Sequence, residues 1–147
     1  MANEPRAETP QVIPYLYYED AGPAIDFMKT AFGFQVESCF RNSDDGGVLH
    51  AQVSTGTGLL FVGPGMGAFG TRAVADADFV SAMIYVFVED LDAHYQRARQ
   101  AGATIREDPH VHAGGNRQYT ASDPGGQRWT FAQTVEASDG DESLPAR

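Results

Sequence analysis

The chain has 147 residues, 42% of them hydrophobic, enough for one domain with a real core. Its formal charge is −10, from 20 acidic and 10 basic residues, and the segments 1–10 and 136–147, with six acids against two bases, carry −4 of it. Such a surface repels phosphate backbones and excludes nucleic acid as the expected partner; it either keeps the chain soluble or draws in a cationic small molecule.

Residues 1–10 are polar and read as a flexible arm. Residues 11–19, rich in aromatic and β-branched side chains, predict a strand. Asp20 can cap a following helix, Pro23 fits its first turn, and Ile25, Met28 and Phe32 recur at helical spacing before Gly33 stops it. Residues 34–41 predict a strand and 42–47 a turn. Residues 48–54 and 59–62 predict a hairpin closed through Thr55 to Gly58. Cys39, in the first of these strands, is the one cysteine; it is expected as an inert buried thiol in a reducing cytoplasm. Residues 63–80 are glycine-rich and lack a period, so this connection reads as a lid, a binding loop or a plain linker.

A second strand is expected over 81–89. Asp90 or Asp92 then caps a helix whose apolar face is Leu91, Tyr95 and Ala98, and Gly102 ends it. Residues 103–106, Val111, 117–121 and 127–133 supply further strands, with a turn at Asp123-Pro-Gly-Gly126. Residues 135–147 read as a disordered acidic tail. No basic segment followed by an apolar one opens the sequence, and no apolar run nears about 18 residues, so neither a signal peptide nor a membrane span is expected.

The sequence repeats itself. Tyr15-Leu-Tyr-Tyr-Glu-Asp20 recurs as Tyr85-Val-Phe-Val-Glu-Asp90 at a shift of 70, and Gly56-Thr-Gly-Leu-Leu-Phe-Val62 aligns with Gly125-Gly-Gln-Arg-Trp-Thr-Phe131 at a shift of 69. Two copies at this period mean a duplicated module, not a solenoid. The expected fold class is α+β, with βαβββ modules at 11–62 and 81–134. These modules, with Ala31-Phe-Gly-Phe34 after the first helix and Asp123-Pro-Gly-Gly-Gln-Arg-Trp-Thr-Phe131 at the close, resemble the vicinal oxygen chelate superfamily. That superfamily includes glyoxalase I, bleomycin-resistance proteins, fosfomycin-resistance enzymes and extradiol dioxygenases. The resemblance implies that each module curls a mixed sheet against a packed helix, that paired modules enclose a cavity, and that the chain forms a homodimer.

It also implies where a metal would sit. In metal-using members, His and Glu ligands from the first and last strands of each module face the cavity. Matched strand to strand, those places fall on Ile13 and Phe61, and on Met83 and Thr130. A divalent ion needs roughly three or four N, O or S ligands, which neither these residues nor their neighbours Pro14, Leu60, Ala82, Ile84, Trp129 and Phe131 supply. No metal and no cofactor is therefore expected.

Alternation in the strand 48–54 puts His50 toward the cavity, and the repeat makes Tyr119 its partner. These two are the candidate acid–base residues, since an imidazole titrates near neutrality; a structural histidine is the competing reading. His110 and His112 form a weak pair at a solvated strand end, and His94 is expected at the surface or an interface. Alternation also sends Tyr15, Tyr17, Tyr85 and Arg128 toward the cavity. The expected ligand-binding lining is thus Tyr15, Tyr17, His50, Phe61, Met83, Tyr85, Tyr119 and Arg128, unless these side chains simply fill the half-barrel. The function expected from this lining and from the resemblance is metal-free binding that sequesters an aromatic or cationic organic compound. The alternative is an enzyme of the same family acting without the usual metal site, through His50 or Tyr119, or with a displaced one. The expected partners are a small organic ligand and a second copy, with neither nucleic acid nor membrane.

Overall fold

A computed structural model describes residues 8–65 and 67–135, so most of the expected arm and nearly all of the acidic tail lie outside the described residues. The first module runs β1 (Tyr15–Tyr18), α1 (Ala21–Phe32), β2 (Gln35–Arg41), β3 (Val48–Ser54) and β4 (Leu59–Pro64). The second runs β5 (Met83–Phe87), α2 (Leu91–Gln100), β6 (Thr104–Val111), β7 (Asn116–Ser122) and β8 (Arg128–Thr134). The sheets have the orders β1-β4-β3-β2 and β5-β8-β7-β6, with β1/β4 and β5/β8 parallel and the other pairs antiparallel. The fold is α+β with two βαβββ modules, as the duplication predicts. The two sheets remain separate and no barrel closes.

Local chemistry sets the helices. The Asp20 carboxylate accepts the Gly22 N–H at 3.2 Å and starts α1. Gly33, at φ 74°, ends it in the left-handed conformation that glycine adopts without strain, its N–H returning to the Lys29 and Met28 carbonyls. Ile25, Met28 and Phe32 are buried as their spacing predicts. Asp90 caps α2 through the Ala93 N–H at 3.1 Å. This helix is polar and buries only Leu91 and Ala98 completely. The core beneath it is filled from the sheet instead, by the buried Tyr119, Trp129 and Phe131.

Two expectations need correction. The first strands of the modules are shorter than 11–19 and 81–89, because only 15–18 and 83–87 find ladder partners on β4 and β8. Residues 104–111 form one strand through Pro109, where two pieces were expected. β6 lies at a sheet edge and carries two register shifts, a place where a residue without an N–H costs no ladder bond.

The modules share an aromatic interface. The Phe32 ring at the end of α1 lies 5.1 Å from that of Trp129 and 4.7 Å from that of Phe131. Arg97 of α2 donates from Nε to the Thr30 carbonyl at 2.7 Å, an acceptor near the end of α1, and from Nη2 to the Lys29 carbonyl at 3.0 Å, which also accepts the Gly33 N–H. On the other side, Asp123 Oδ2 accepts the Tyr18 hydroxyl at 2.5 Å and the Trp129 Nε1–H at 3.0 Å. Burial pushes the Asp123 carboxyl above its ordinary pKa, against the pull of these donors. A Cβ at Gly125 would stand 2.6 Å from the Tyr18 ring, so the Asp-Pro-Gly-Gly turn joins the modules as well as reversing the chain.

Candidate functional site

The register fixes what faces away from the helices. In the first sheet Tyr15 pairs with Phe61 and Phe61 with Gln52; in the second Tyr85 pairs with Thr130 and Thr130 with Thr120. Leu16, Tyr18, Ala51, Val53, Leu60 and Val62 are buried under the helices, which leaves Tyr15, Tyr17, His50 and Phe61 on the opposite, concave face. Tyr15 stacks on Tyr17 at 4.7 Å and 4°, and its hydroxyl lies 2.9 Å from His50 Nδ1. Phe61 meets His50 edge-on at 4.8 Å. Burial, with a smaller contribution from Tyr17, raises the Tyr15 pKa, so its hydroxyl stays protonated.

The second concave face repeats this plan with other polar groups. The Tyr85 hydroxyl donates to Gln118 Oε1 at 2.8 Å and accepts from Asn116 Nδ2 at 3.4 Å. Thr130 Oγ1 lies 2.8 Å from Thr120 Oγ1 and donates to Met83 Sδ at 3.5 Å. Both faces are open: Tyr15 is 40% exposed, Tyr85 43%, Met83 53% and Phe40 60%.

Tyr119 is not on this face, contrary to the alternation argument. Ala51 pairs with Val62 and Tyr119 with Phe131, so β3 and β7 are related by a shift of 68 while β4 and β8 keep 69. His50 therefore corresponds to Gln118, and Tyr119 to Ala51. One residue of slip moves a side chain to the other side of a sheet. Tyr119 is fully buried against α2. His94, expected at the surface or an interface, is its partner there. The His94 Nε2–H donates to the Phe32 carbonyl at 3.3 Å, which leaves Nδ1 to accept the Tyr119 hydroxyl at 2.5 Å. Burial lowers the His94 pKa to about 4, against the Phe32 hydrogen bond and with help from Arg97. Burial also pushes the Tyr119 hydroxyl well up. The sequence signal for this was the turn: residues 123–127 are one more than residues 55–58, and that extra residue shifts β7 by one against the repeat.

The chemistry at the four places where the resemblance puts metal ligands does not fit a divalent ion. Ile13 lies just ahead of β1, Phe61 is packed in rings, Thr130 is spent on Thr120 and Met83, and Met83 offers a thioether. Among the described residues no group of three or more His, Cys, Asp or Glu is close enough to hold a metal ion. The His110 and His112 rings lie 5.9 Å apart, and Glu107 is 3.7 Å from His110 Nδ1.

A cleft of about 530 Å³ opens between β1, the start of β5 and the connection, lined by Tyr15, Tyr17, Asp76, Phe79, Ile84 and Gln127 among others. Of the expected lining only Tyr15 and Tyr17 border this cleft. His50, Phe61, Met83 and Tyr85 lie on the open faces. Arg128 is buried beside the cleft, its Nη2 donating to the Ala77 carbonyl at 2.8 Å. Arg106, which the sequence did not single out, donates to the same carbonyl at 2.8 Å.

Residues 11–131 match the profile of the Glyoxalase/Bleomycin resistance protein/Dioxygenase superfamily. An uncharacterized protein of Mycobacterium bovis is 30% identical over 136 residues, covering 90% of this chain and 89% of that protein. The crystal structure of TioX from Micromonospora sp. ML1 superposes with a TM-score of 0.64 at 28% identity, covering 88% of this chain and 99% of that one. TnmS3, an antibiotic binding protein from Streptomyces sp. CB03234, superposes with a TM-score of 0.64 at 18% identity over 88% of this chain and 98% of that one.

Proposed function

The chain belongs to the glyoxalase, bleomycin-resistance and dioxygenase superfamily, and from that premise we propose that it binds and sequesters a flat aromatic organic compound without a protein-bound metal. The observation that carries this reading is the pair of open concave faces built around Tyr15 and Tyr85. Each presents an aromatic ring to the outside while its hydroxyl is already held, by His50 or by Gln118. Rings that are exposed and fixed in orientation, Tyr15 stacked on Tyr17 and Tyr85 edge-on to Phe87, suit a planar ligand better than they suit water. The chemistry at Ile13, Phe61, Met83 and Thr130 supports binding over metal-dependent turnover. The likeness to TnmS3, an antibiotic binding protein, supports the same class. The net charge of −10 would also favour a cationic ligand, but the faces themselves offer hydroxyls, amides and His50, so stacking is the stronger argument.

Assembly belongs to the same reading. Tyr15, Phe40, Met83, Tyr85 and Phe87 together leave a large apolar surface, and a homodimer would cover it. No described helix is long and apolar enough to cross a membrane. Cys39 as the one cysteine supports the reading of a reducing cytoplasm. The contact between Tyr15 and His50 supports a second reading, in which His50 moves a proton on a bound substrate.

The test is a thermal-shift screen of planar aromatic compounds against chelator-treated protein, with hits repeated on Tyr15→Ala and Tyr85→Ala. A ligand at 100 times its dissociation constant adds about 2.7 kcal/mol of stability. The reading expects hits without metal that weaken in both variants. Hits that need added metal would overturn it, and consumption of a hit would favour the second reading.

A further inference from the structure

Arg128 is 9% exposed, and among the described residues neither it nor Arg106 has a carboxylate within ion-pairing distance. Instead both guanidinium groups point Nη2 at one neutral oxygen, the Ala77 carbonyl, at 2.8 Å each. Arg106 also donates from Nε to the Ser122 hydroxyl at 2.7 Å, while Arg128 Nε is buried with no acceptor at all. Two like charges meeting at one uncharged acceptor, with a buried N–H left over, is an arrangement that costs free energy until an anion joins it. Asp76, next to Ala77 in sequence, accepts the Asp78 N–H at 2.9 Å within the turn.

We propose that Arg106, Arg128 and the Ser122 hydroxyl form an oxyanion subsite, and that the Ala77 carbonyl stands in it for an oxygen of the ligand. A planar carboxylate could take both Nη2 donors and supply the acceptor that Arg128 Nε lacks, because a guanidinium offers its N–H groups as a fork. The subsite adjoins the cleft that Asp76, Phe79 and Gln127 share with Tyr15 and Tyr17. This deepens the proposed function, on which the aromatic half of the argument rests: the ligand class becomes an aromatic acid, its ring on the tyrosines and its carboxylate on the arginines. Seating the carboxylate displaces the Ala77 carbonyl and loosens the connection where it packs on Gly126, so closely that an added Cβ there would lie 3.2 Å from Val74 Cγ1.

The experiment titrates 1-naphthoate, 1-naphthamide and acetate into the full chain and follows the arginine Nε–H resonances by NMR. The expected result is that naphthoate moves the Arg128 resonance saturably and binds at least tenfold tighter than naphthamide. Arg128→Gln and Arg106→Gln should each reduce that ratio; the exposed Arg106 provides the variant that keeps its fold. Naphthamide binding as tightly as naphthoate would overturn the anion subsite and leave the aromatic reading standing. A saturable response to acetate with no binding of either naphthyl compound would support the subsite and sink the aromatic reading. A silent Arg128 resonance with all three probes would overturn the subsite.

Discussion

The Tyr15 hydroxyl lies 2.9 Å from His50 Nδ1, and the second module holds Tyr85 at 2.8 Å from Gln118 in the same way. Duplication has kept the tyrosine and changed its partner. This makes the two faces distinguishable by substitution. Both side chains are partly exposed, so His50→Ala and Tyr85→Ala should each cost about 1 kcal/mol of stability or less. Each should weaken an aromatic ligand found by screening by about tenfold. Denaturant melts and calorimetric titrations check the two halves separately. Unfolding of either variant would mean that these rings are core.

Tyr119 should behave in the opposite way. Being fully buried against α2, it predicts a loss of about 3–5 kcal/mol for Tyr119→Ala. Tyr119→Phe leaves His94 Nδ1 without its donor and should cost about 1–3 kcal/mol. Ligand affinity should follow only the folded fraction in both, measured by titration of the soluble variants.

These contrasts show how far the sequence was legible. The shift of 70 between Tyr15 and Tyr85 located both modules and the concave tyrosines, because β1 sits on β4 as β5 sits on β8, with Tyr15 opposite Phe61 and Tyr85 opposite Thr130. The same logic failed at Tyr119, where β3 and β7 differ from their neighbours by one residue within otherwise similar strands. The slip comes from the turns: Ser54 pairs with Leu59 across four residues, while Ser122 pairs with Arg128 across five. The pairing of Arg106 with Arg128 was also hidden, since it depends on where a connection without periodicity brings Ala77.

His94 gives the protein an acid-sensitive joint between modules. Its pKa falls from 6.5 to about 4 on folding, so the folded state binds fewer protons between those values. Stability from this group is fully present above pH 6.5 and is lost as the pH falls toward 4, by at most about 3 kcal/mol. Asp123 acts in the opposite sense: its raised pKa means that stability falls as the pH climbs through the range above its ordinary value. The difference between melts of the native chain and His94→Gln from pH 4 to 7 isolates the histidine. A difference that does not change with pH would contradict this account.

Asp123 also ties the modules together. Asp123→Ala strands the Tyr18 hydroxyl and the Trp129 Nε1–H, both buried, and should cost about 2–4 kcal/mol. Gly125→Ala should destabilise as well, because the new methyl group meets the Tyr18 ring. Denaturant melts of both variants check these losses.

The homodimer is tested by light scattering at micromolar concentration, where a mass twice 15.9 kDa is expected and a monomer would leave the concave faces uncovered.

The central claim is that this family member binds an aromatic compound without metal. The most direct measurement is calorimetric titration of the best screening hit into chelator-treated protein, into the same protein supplied with zinc, nickel, manganese or iron, and into Tyr85→Ala. The account predicts one dissociation constant with and without metal, and about tenfold weaker binding in the variant. Binding that arises only after metal is added, or that ignores Tyr85, would contradict it.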